Sequence, residues 1–248
     1  MGSPPTVSVT AFPHRMLAKE VTSVPTNVVV ASNTFSKVAQ WTALSKCVRV
    51  EGMDGMVGSA AIVALHDGNA YFLTANHIIS GLEVRRIEFF SKEIFQDSEK
   101  LKNNFYRDAV VALRSPTTDL ALLKVKIDRL KPPGIATLPQ PWDRPKYFPF
   151  EGLSVGCSEG HSPTCQIERI QGKPLVRRTT EFGCFFWESL SSSSEGRSGG
   201  PLFDARGRLI GICAGRQGNR SYFTHLDEIH AWLKENQYGW LWESKVRP

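Results

Sequence analysis

Ser198 lies in the stretch Glu195-Gly196-Arg197-Ser198-Gly199-Gly200-Pro201-Leu202, where a hydroxyl is bracketed by glycines. Glycine tolerates backbone angles and close approaches that a β-carbon forbids. Such a turn can leave Ser198 Oγ prominent and aim the amides of Gly196 and Ser198 at one point. A hydroxyl is a weak nucleophile until a base takes its proton. An imidazole does this best when a carboxylate fixes its tautomer. Two upstream segments supply those partners: Leu73-Thr74-Ala75-Asn76-His77 and Thr118-Asp119-Leu120-Ala121-Leu122-Leu123. The order His77, Asp119, Ser198 offers base, orienting carboxylate and nucleophile, with paired amides to meet negative charge developing on oxygen.

Positioning three such groups requires strands, and the pattern around them supplies strands. Cys47–Val50, Gly58–Leu65 and Ala70–Thr74 are brief apolar runs, with His66-Asp67-Gly68-Asn69 as a hairpin turn. Val84–Phe90, Val110–Arg114 and Asp119–Val125 continue the series, and the charged stretch 91–107 reads as a long surface loop. A proline-rich connector at about 128–149 separates two halves, because such proline density cannot sit inside a central sheet. The second half holds Gly152–Gly156, Cys165–Ile170, Leu175–Thr180, Gly183–Glu188, Leu202–Phe203, Leu209–Cys213 and Arg220–Thr224. Many short strands without alternating long helices predict an all-β barrel or sandwich. One helix is predicted at about 225–236, with Thr224 as its cap, Asp227 completing a capping box, and Leu226, Ile229, Trp232 and Leu233 as its apolar face. Residues 1–24 read as a loosely attached arm, 27–31 as a short strand, and 35–44 as a short helix or turn.

With 248 residues, 41% hydrophobic and 22% charged, the composition is that of a soluble globular protein. The formal charge of +6 comes from scattered Lys and Arg, which argues against a nucleic-acid footprint. The patch Lys124, Lys126, Arg129 and Lys131 reads as a solvated face. The cluster Phe182, Phe185, Phe186 and Trp187 reads as core and pocket wall rather than a base-stacking platform. No run has the profile of a membrane span. The start, Met1-Gly2-Ser3-Pro4-Pro5, shows no secretory signal, which fits a cytosolic protein or a chain from which a signal has been cut away. Oligomeric state is not legible.

The segments "FLTANHII", "TDLALLKV" and "EGRSGGPLFDARGRLIGI" resemble the His, Asp and Ser boxes of the trypsin-like (chymotrypsin-fold) serine peptidases, most of all the disulfide-poor HtrA/Deg-like branch. The resemblance covers about residues 47–235. It implies two six-stranded antiparallel β-barrels followed by a C-terminal α-helix, with the site in the cleft between them. The first barrel would span about 47–127 and the second about 150–224, within a peptidase domain of residues 25–248. It implies peptide-bond hydrolysis by His77 as general base, Asp119 as its orienter and Ser198 as nucleophile, with the Gly196 and Ser198 amides as oxyanion hole. It calls for a peptide or protein substrate and no cofactor. Ser192 would form the floor of the pocket for the residue before the scissile bond, and Cys213, Ala214, Gly215 and Arg216 its wall and the edge that receives the substrate backbone. Neither part of that pocket offers a carboxylate, so elimination favours uncharged, small to medium apolar residues there, with Arg216 keeping an acidic one open.

Departures from the family pattern are equally legible. Arg197 stands where digestive members carry the Asp that pairs with a new N-terminus. Asn76 replaces the commoner small residue before the base, and the loop 190–195 is rich in serine. The peptide-binding domain that follows the helix in many Deg-like proteins is not expected. A catalytically latent scaffold that binds extended peptides is the alternative reading.

The five cysteines cannot all pair within one chain. Cys157, His161, Cys165 and Cys184 have the residue types of a zinc site but loose spacing, and some viral members of the fold carry a structural zinc near the second barrel. Packed thiols, or one disulfide such as Cys165–Cys184, are the preferred reading over metal. His66 and His230 are expected to face solvent.

Overall fold

The computed structural model describes residues 34–79, 81, 83–90, 104–106, 109–127, 132–177 and 183–243. The arm, the strand expected at 27–31, most of the loop at 91–107, and Phe182, Arg129 and Lys131 lie outside the described residues.

The first half is a sheet of β1 (Cys47–Gly52), β2 (Val57–His66), β3 (Asn69–Ala75), β4 (Glu83–Phe89), β5 (Asn104–Tyr106), β6 (Ala109–Ser115) and β7 (Leu120–Lys126). Its order is β1-β2-β3-β7-β6-β4-β5, and β1 also pairs with β4. That seam runs from Arg49↔Glu88 to Gly52↔Val84 and closes a ring of six strands, with β5 outside it. β5 sits where the sequence predicts only loop. The β2–β3 hairpin turns through Asp67 and Gly68, both with positive φ (47° and 70°), as a two-residue turn matched to strand twist demands.

β7 explains why a strand can be apolar on both faces. Ala121, Leu123 and Val125 fill the ring with Val50, Ile62, Phe72 and Ile87. Leu120 and Leu122, pointing the opposite way, pack with Leu153, Phe203 and Ile212 of the second half. Each such large side chain contributes about 1.5–3 kcal/mol on burial. This shared core sets the two halves, and hence the ends of β3 and β7, against the second sheet.

That sheet comprises β8 (Phe150–Gly156), β9 (Thr164–Gly172), β10 (Leu175–Arg177), β11 (Gly183–Ser189), β12 (Pro201–Phe203), β13 (Leu209–Gln217) and β14 (Arg220–His225), in the order β10-β11-β14-β13-β12-β8-β9. Here the expectation of two six-stranded barrels with a single C-terminal helix is overturned. β11 gives most of its free edge to β10, over Leu175↔Phe185 to Arg177↔Gly183. A strand edge carries one row of hydrogen-bonding groups. β9 therefore meets β11 only at Glu188↔Gly172 and Ser189↔Ile170, with a register shift between them. The second half is a rolled seven-stranded sheet without a continuous closing ladder, not a second barrel. Nor is the C-terminal helix alone: α1 (Lys37–Leu44) precedes the first sheet, α2 (Leu226–Glu235) follows the second, and α3 (Trp240–Glu243) comes after it.

α2 buries Leu226, Ile229, Trp232 and Leu233 as its pattern predicts, but its cap is His225 rather than Thr224. The described part of the connector is not loose. Ala136 N–H donates to Ile62 O at 2.7 Å, and Leu209 N–H donates to Thr137 O at 2.8 Å, so it is stitched to both sheets. No helix among the described residues is long and apolar enough to cross a membrane.

Candidate active site

His77 sits in a single 3-10 turn, Asn76–Ile78, immediately after β3, and Asp119 immediately before β7. These strands are paired neighbours, with Ala75 opposite Leu120, so the two residues meet by register. Asp119 is buried and adopts φ +55°, a left-handed conformation that costs about 1–2 kcal/mol and that Asp tolerates better than most. In return its backbone and side chain all bond the histidine turn. Its carbonyl accepts from Asn76 N–H (3.0 Å), Oδ1 from His77 N–H (3.0 Å), and Oδ2 from His77 Nδ1 (2.8 Å). A carboxylate only accepts, so Nδ1 is the donor in this bond, and in the neutral ring Nε2 is then the acceptor.

Arg114 of β6 braces this turn from outside. Its Nε donates to Asn76 Oδ1 (2.9 Å), Nη1 to Gly81 O (2.9 Å) and Nη2 to Ile79 O (2.7 Å). Asn76, unusual by the family pattern, thus has a partner that the sequence did not announce. The second sheet braces the turn before Asp119, where Thr224 Oγ1 donates to Thr118 O (2.8 Å).

Ser198 lies between β11 and β12, in the glycine turn. Gly199 has φ +83°, and a β-carbon there would fall 2.1 Å from Ser59 O. Gly196 has φ +82°, and one there would fall 2.2 Å from Cys157 O. Both positions require glycine. β2 holds the turn in place through Ser59. Ser59 N–H donates to Ser198 O (2.8 Å) and Ser59 Oγ to Gly196 O (2.8 Å), while Ser59 Oγ accepts from Cys157 N–H (2.8 Å). Thr74 Oγ1 in turn donates to Ser59 O at 2.7 Å. Sequence reading passed over Ser59 and Thr74. The available signal was a hydroxyl inside each of two apolar strands, where only a specific bond offsets burial.

The structure brings Ser198 and the His77–Asp119 pair to the same junction between the sheets but does not join them. Ser198 Oγ and His77 Nε2 are both buried and neither has a hydrogen-bond partner. The Gly196 and Ser198 amides likewise donate to no acceptor among the described residues. The two side-chain atoms are thus unspent, against the general rule that buried polar groups are paired.

The loop leading to this turn is pinned by Ser221 of β14, whose Oγ donates to Ser191 O and accepts from Ser193 N–H, both at 2.6 Å. Ser192 is exposed and accepts from Arg216 Nη1 at 3.3 Å, so the expected pocket floor and pocket edge touch. Cys213 and Ala214 are buried on β13, Gly215 has φ +135°, and Arg216 is exposed. Burial pushes the Cys213 thiol up to about 11, so this wall is a neutral thiol.

No disulfide joins any of the five cysteines. The suggested Cys165–Cys184 bridge is not made. Cys165 is directed at Gln40 O and Cys184 at Thr117 O, and β9 meets β11 only at their far ends. Among the described residues no group of three or more Cys, His, Asp or Glu, including Cys157, His161, Cys165 and Cys184, is placed to hold a metal ion. His230 is buried against Trp242 rather than facing solvent, because α3 covers it.

Residues 58–212 match the family model of the trypsin-like peptidase domain. A protein of Marinomonas sp. (strain MWYL1), described as "Probable periplasmic serine endoprotease DegP-like", is 30% identical over 167 residues. The match covers 65% of this chain but only 30% of that protein's length. Among solved structures, the M. tuberculosis Rv3671c protease in its inactive form superposes with a TM-score of 0.62 at 16% identity, covering 87% of this chain and 98% of that one. The serine endoprotease from Yersinia pestis gives 0.59 at 20% identity, covering 87% and 68%. At these identities the structural likeness speaks for the fold alone.

Proposed function

Since the chain belongs to the trypsin-like peptidase family and is related to the HtrA/DegP serine peptidases, we propose that it is itself a serine endopeptidase acting through His77, Asp119 and Ser198. In this reading Ser198 Oγ attacks the scissile carbonyl and passes its proton to His77 Nε2. Asp119 holds the ring and stabilises the imidazolium. The Gly196 and Ser198 amides donate to the oxyanion, and His77 returns the proton to the leaving amine. Water then releases the acyl group from Ser198 by the same route. The observation that carries the proposal is the Asp119–His77 bond of 2.8 Å, which spends Nδ1 and leaves Nε2 without a partner, as Ser198 Oγ also is.

The residue before the scissile bond is proposed to be uncharged and of small to medium size, such as Val, Ala, Leu or Met. Cys213 as a neutral thiol and the buried Ala214 support an apolar wall, and hydrophobic contact of this kind discriminates weakly. Cleavage of a mixed peptide library, with sequencing of the new termini, tests this. Predominant cutting after Lys or Arg refutes the pocket, and cutting after Asp or Glu transfers the determinant to Arg216.

The unmade Ser198–His77 bond favours a second reading, a latent protein that binds peptides without cutting them. An organophosphorus serine reagent separates the two. Covalent labelling of Ser198 in the wild type requires a working base, and its absence with retained peptide binding supports latency.

A further inference from the structure

Arg197, the residue that departs from the family pattern beside the nucleophile, is buried, and its side chain runs against β8 and the start of β9. Nη2 donates to Ser154 O (3.1 Å) and Ser154 Oγ (2.7 Å). Nη1 donates to Thr164 O (3.2 Å) and Oγ1 (3.0 Å), and more weakly to Ser158 Oγ (3.3 Å) and Gly156 O (3.4 Å). No carboxylate touches it among the described residues. Instead Ser154 Oγ, accepting from the guanidinium, donates onward to Glu168 Oε1 at 3.1 Å. Glu168 is wholly buried, and its other oxygen accepts from Ser189 Oγ (2.5 Å) and from Ser191 Oγ.

Ser191 begins the loop that Arg197 ends. We propose that Arg197 and Glu168 are positioning residues: one buried charge pair, joined through Ser154, clamps both ends of the 191–197 loop and so fixes the oxyanion amides relative to the pocket floor. A wholly buried carboxylate needs hydrogen bonds and a counter-charge. Its hydroxyl donors come from the pocket end of the loop, and its counter-charge comes through Ser154 from the nucleophile end. The two ends thus share one network, and losing a partner at either end acts first on that end. The proposal rests on the peptidase reading above and adds what sets the geometry of that site.

The test uses the full chain with Glu168→Gln, Arg197→Lys and Ser191→Ala, the last at a partly exposed position. Arg197→Lys keeps the charge but replaces a fork with a single amine. It should lower kcat by about tenfold to a hundredfold with KM within about twofold, because the amide donors act in the transition state. Ser191→Ala should raise KM about fivefold with kcat nearly unchanged, and Glu168→Gln should move both. The Arg197→Lys/Glu168→Gln double variant should lose less than the product of the two single losses. Amide exchange across 190–198 should quicken in Glu168→Gln and Arg197→Lys, whether or not the protein cleaves peptides. A lowered melting temperature with unchanged kcat, KM and exchange would reduce the network to ordinary structural support and overturn the proposal. Unlabelled wild-type Ser198 would instead overturn the peptidase reading, while the exchange measurement still decides the clamp.

Discussion

The base half of the proposed site is built mostly within the first barrel, with one bond from the second sheet, Thr224 Oγ1 to Thr118 O. Asp119 and the histidine turn lie at paired ends of adjacent strands, share three hydrogen bonds, and are braced locally by Arg114. The nucleophile half is held differently. Ser198 has no bond to its hydroxyl, and its turn is fixed by Ser59 across the junction and by Arg197 and Glu168 behind it. Local ladder geometry orders the first half, whereas long-range buried polar bonds order the second. The base should therefore tolerate perturbation of the interface that the nucleophile does not.

The largest effects come from removing a participant outright. Ser198→Ala should abolish organophosphorus labelling and cost about 10⁶-fold in kcat, while the fold persists. Near-normal turnover in that variant would sink the mechanism. Asp119→Asn should cost about 10⁴-fold, because an amide in place of the carboxylate favours the wrong imidazole tautomer. An effect of tenfold or less, measured with fully folded protein, would show that the base half is not organised by this bond.

Ser59→Ala attacks the joint between the halves. It strips a partner from Cys157 N–H and Gly196 O together, at a cost of about 2–4 kcal/mol in stability. Turnover should fall by about tenfold to a hundredfold as the Gly196 peptide loses its anchor. Arg114→Ala, which loosens the histidine turn only from its exposed side, should cost about threefold to tenfold. Denaturant titration and steady-state kinetics on the same preparations give both numbers. If Arg114→Ala proves worse than Ser59→Ala, the contrast drawn between the halves is wrong.

What the chain reveals before folding follows the same division. The segments that carry His77, Asp119 and Ser198 stand out in the sequence because each is local: an apolar strand with a polar residue at its end, or glycines around a hydroxyl. The β2–β3 turn and the buried face of α2 were legible for the same reason. Ser59, Thr74, Ser154 and Glu168 were not, because a hydroxyl or carboxylate in a strand reads as solvent-facing until its partner from another strand is known. The expected second barrel failed on a related point. Nothing local in Leu175–Arg177 says that this short strand will occupy the edge of β11 that closure needs. The cap of α2 moved by one residue because an imidazole took the role expected of a hydroxyl.

That imidazole leads to the smallest effect, and to a contrast between histidines. His77 Nε2 is without a partner and is the proposed base, whereas His225 and His230 in the second half are buried in packing. His225 accepts the Asp227 N–H through Nδ1 at 3.0 Å with its ring 3.9 Å from Trp187, and His230 lies 4.5 Å from the ring of Trp242. Burial, with Lys173 adding to it, holds His225 down to about 3, and burial holds His230 down to about 4. An unfolded histidine titrates near 6.5. Below that pH the unfolded chain takes up protons that the native state refuses, so stability is fully present above about 6.5 and lost as pH falls towards 4 and then 3. The slope reaches about 1.4 kcal/mol per pH unit for each histidine. Carboxylates mostly titrate below this window, which isolates the histidine contribution between pH 5 and 7. The melting temperature should fall by several degrees over that interval. His230→Phe, which keeps an aromatic ring against Trp242, should flatten the slope by about half, and His225→Asn, which keeps a capping acceptor, should flatten it further. Melting curves for both variants that run parallel to wild type from pH 7 to 5 would mean that these histidines titrate alike in folded and unfolded chains.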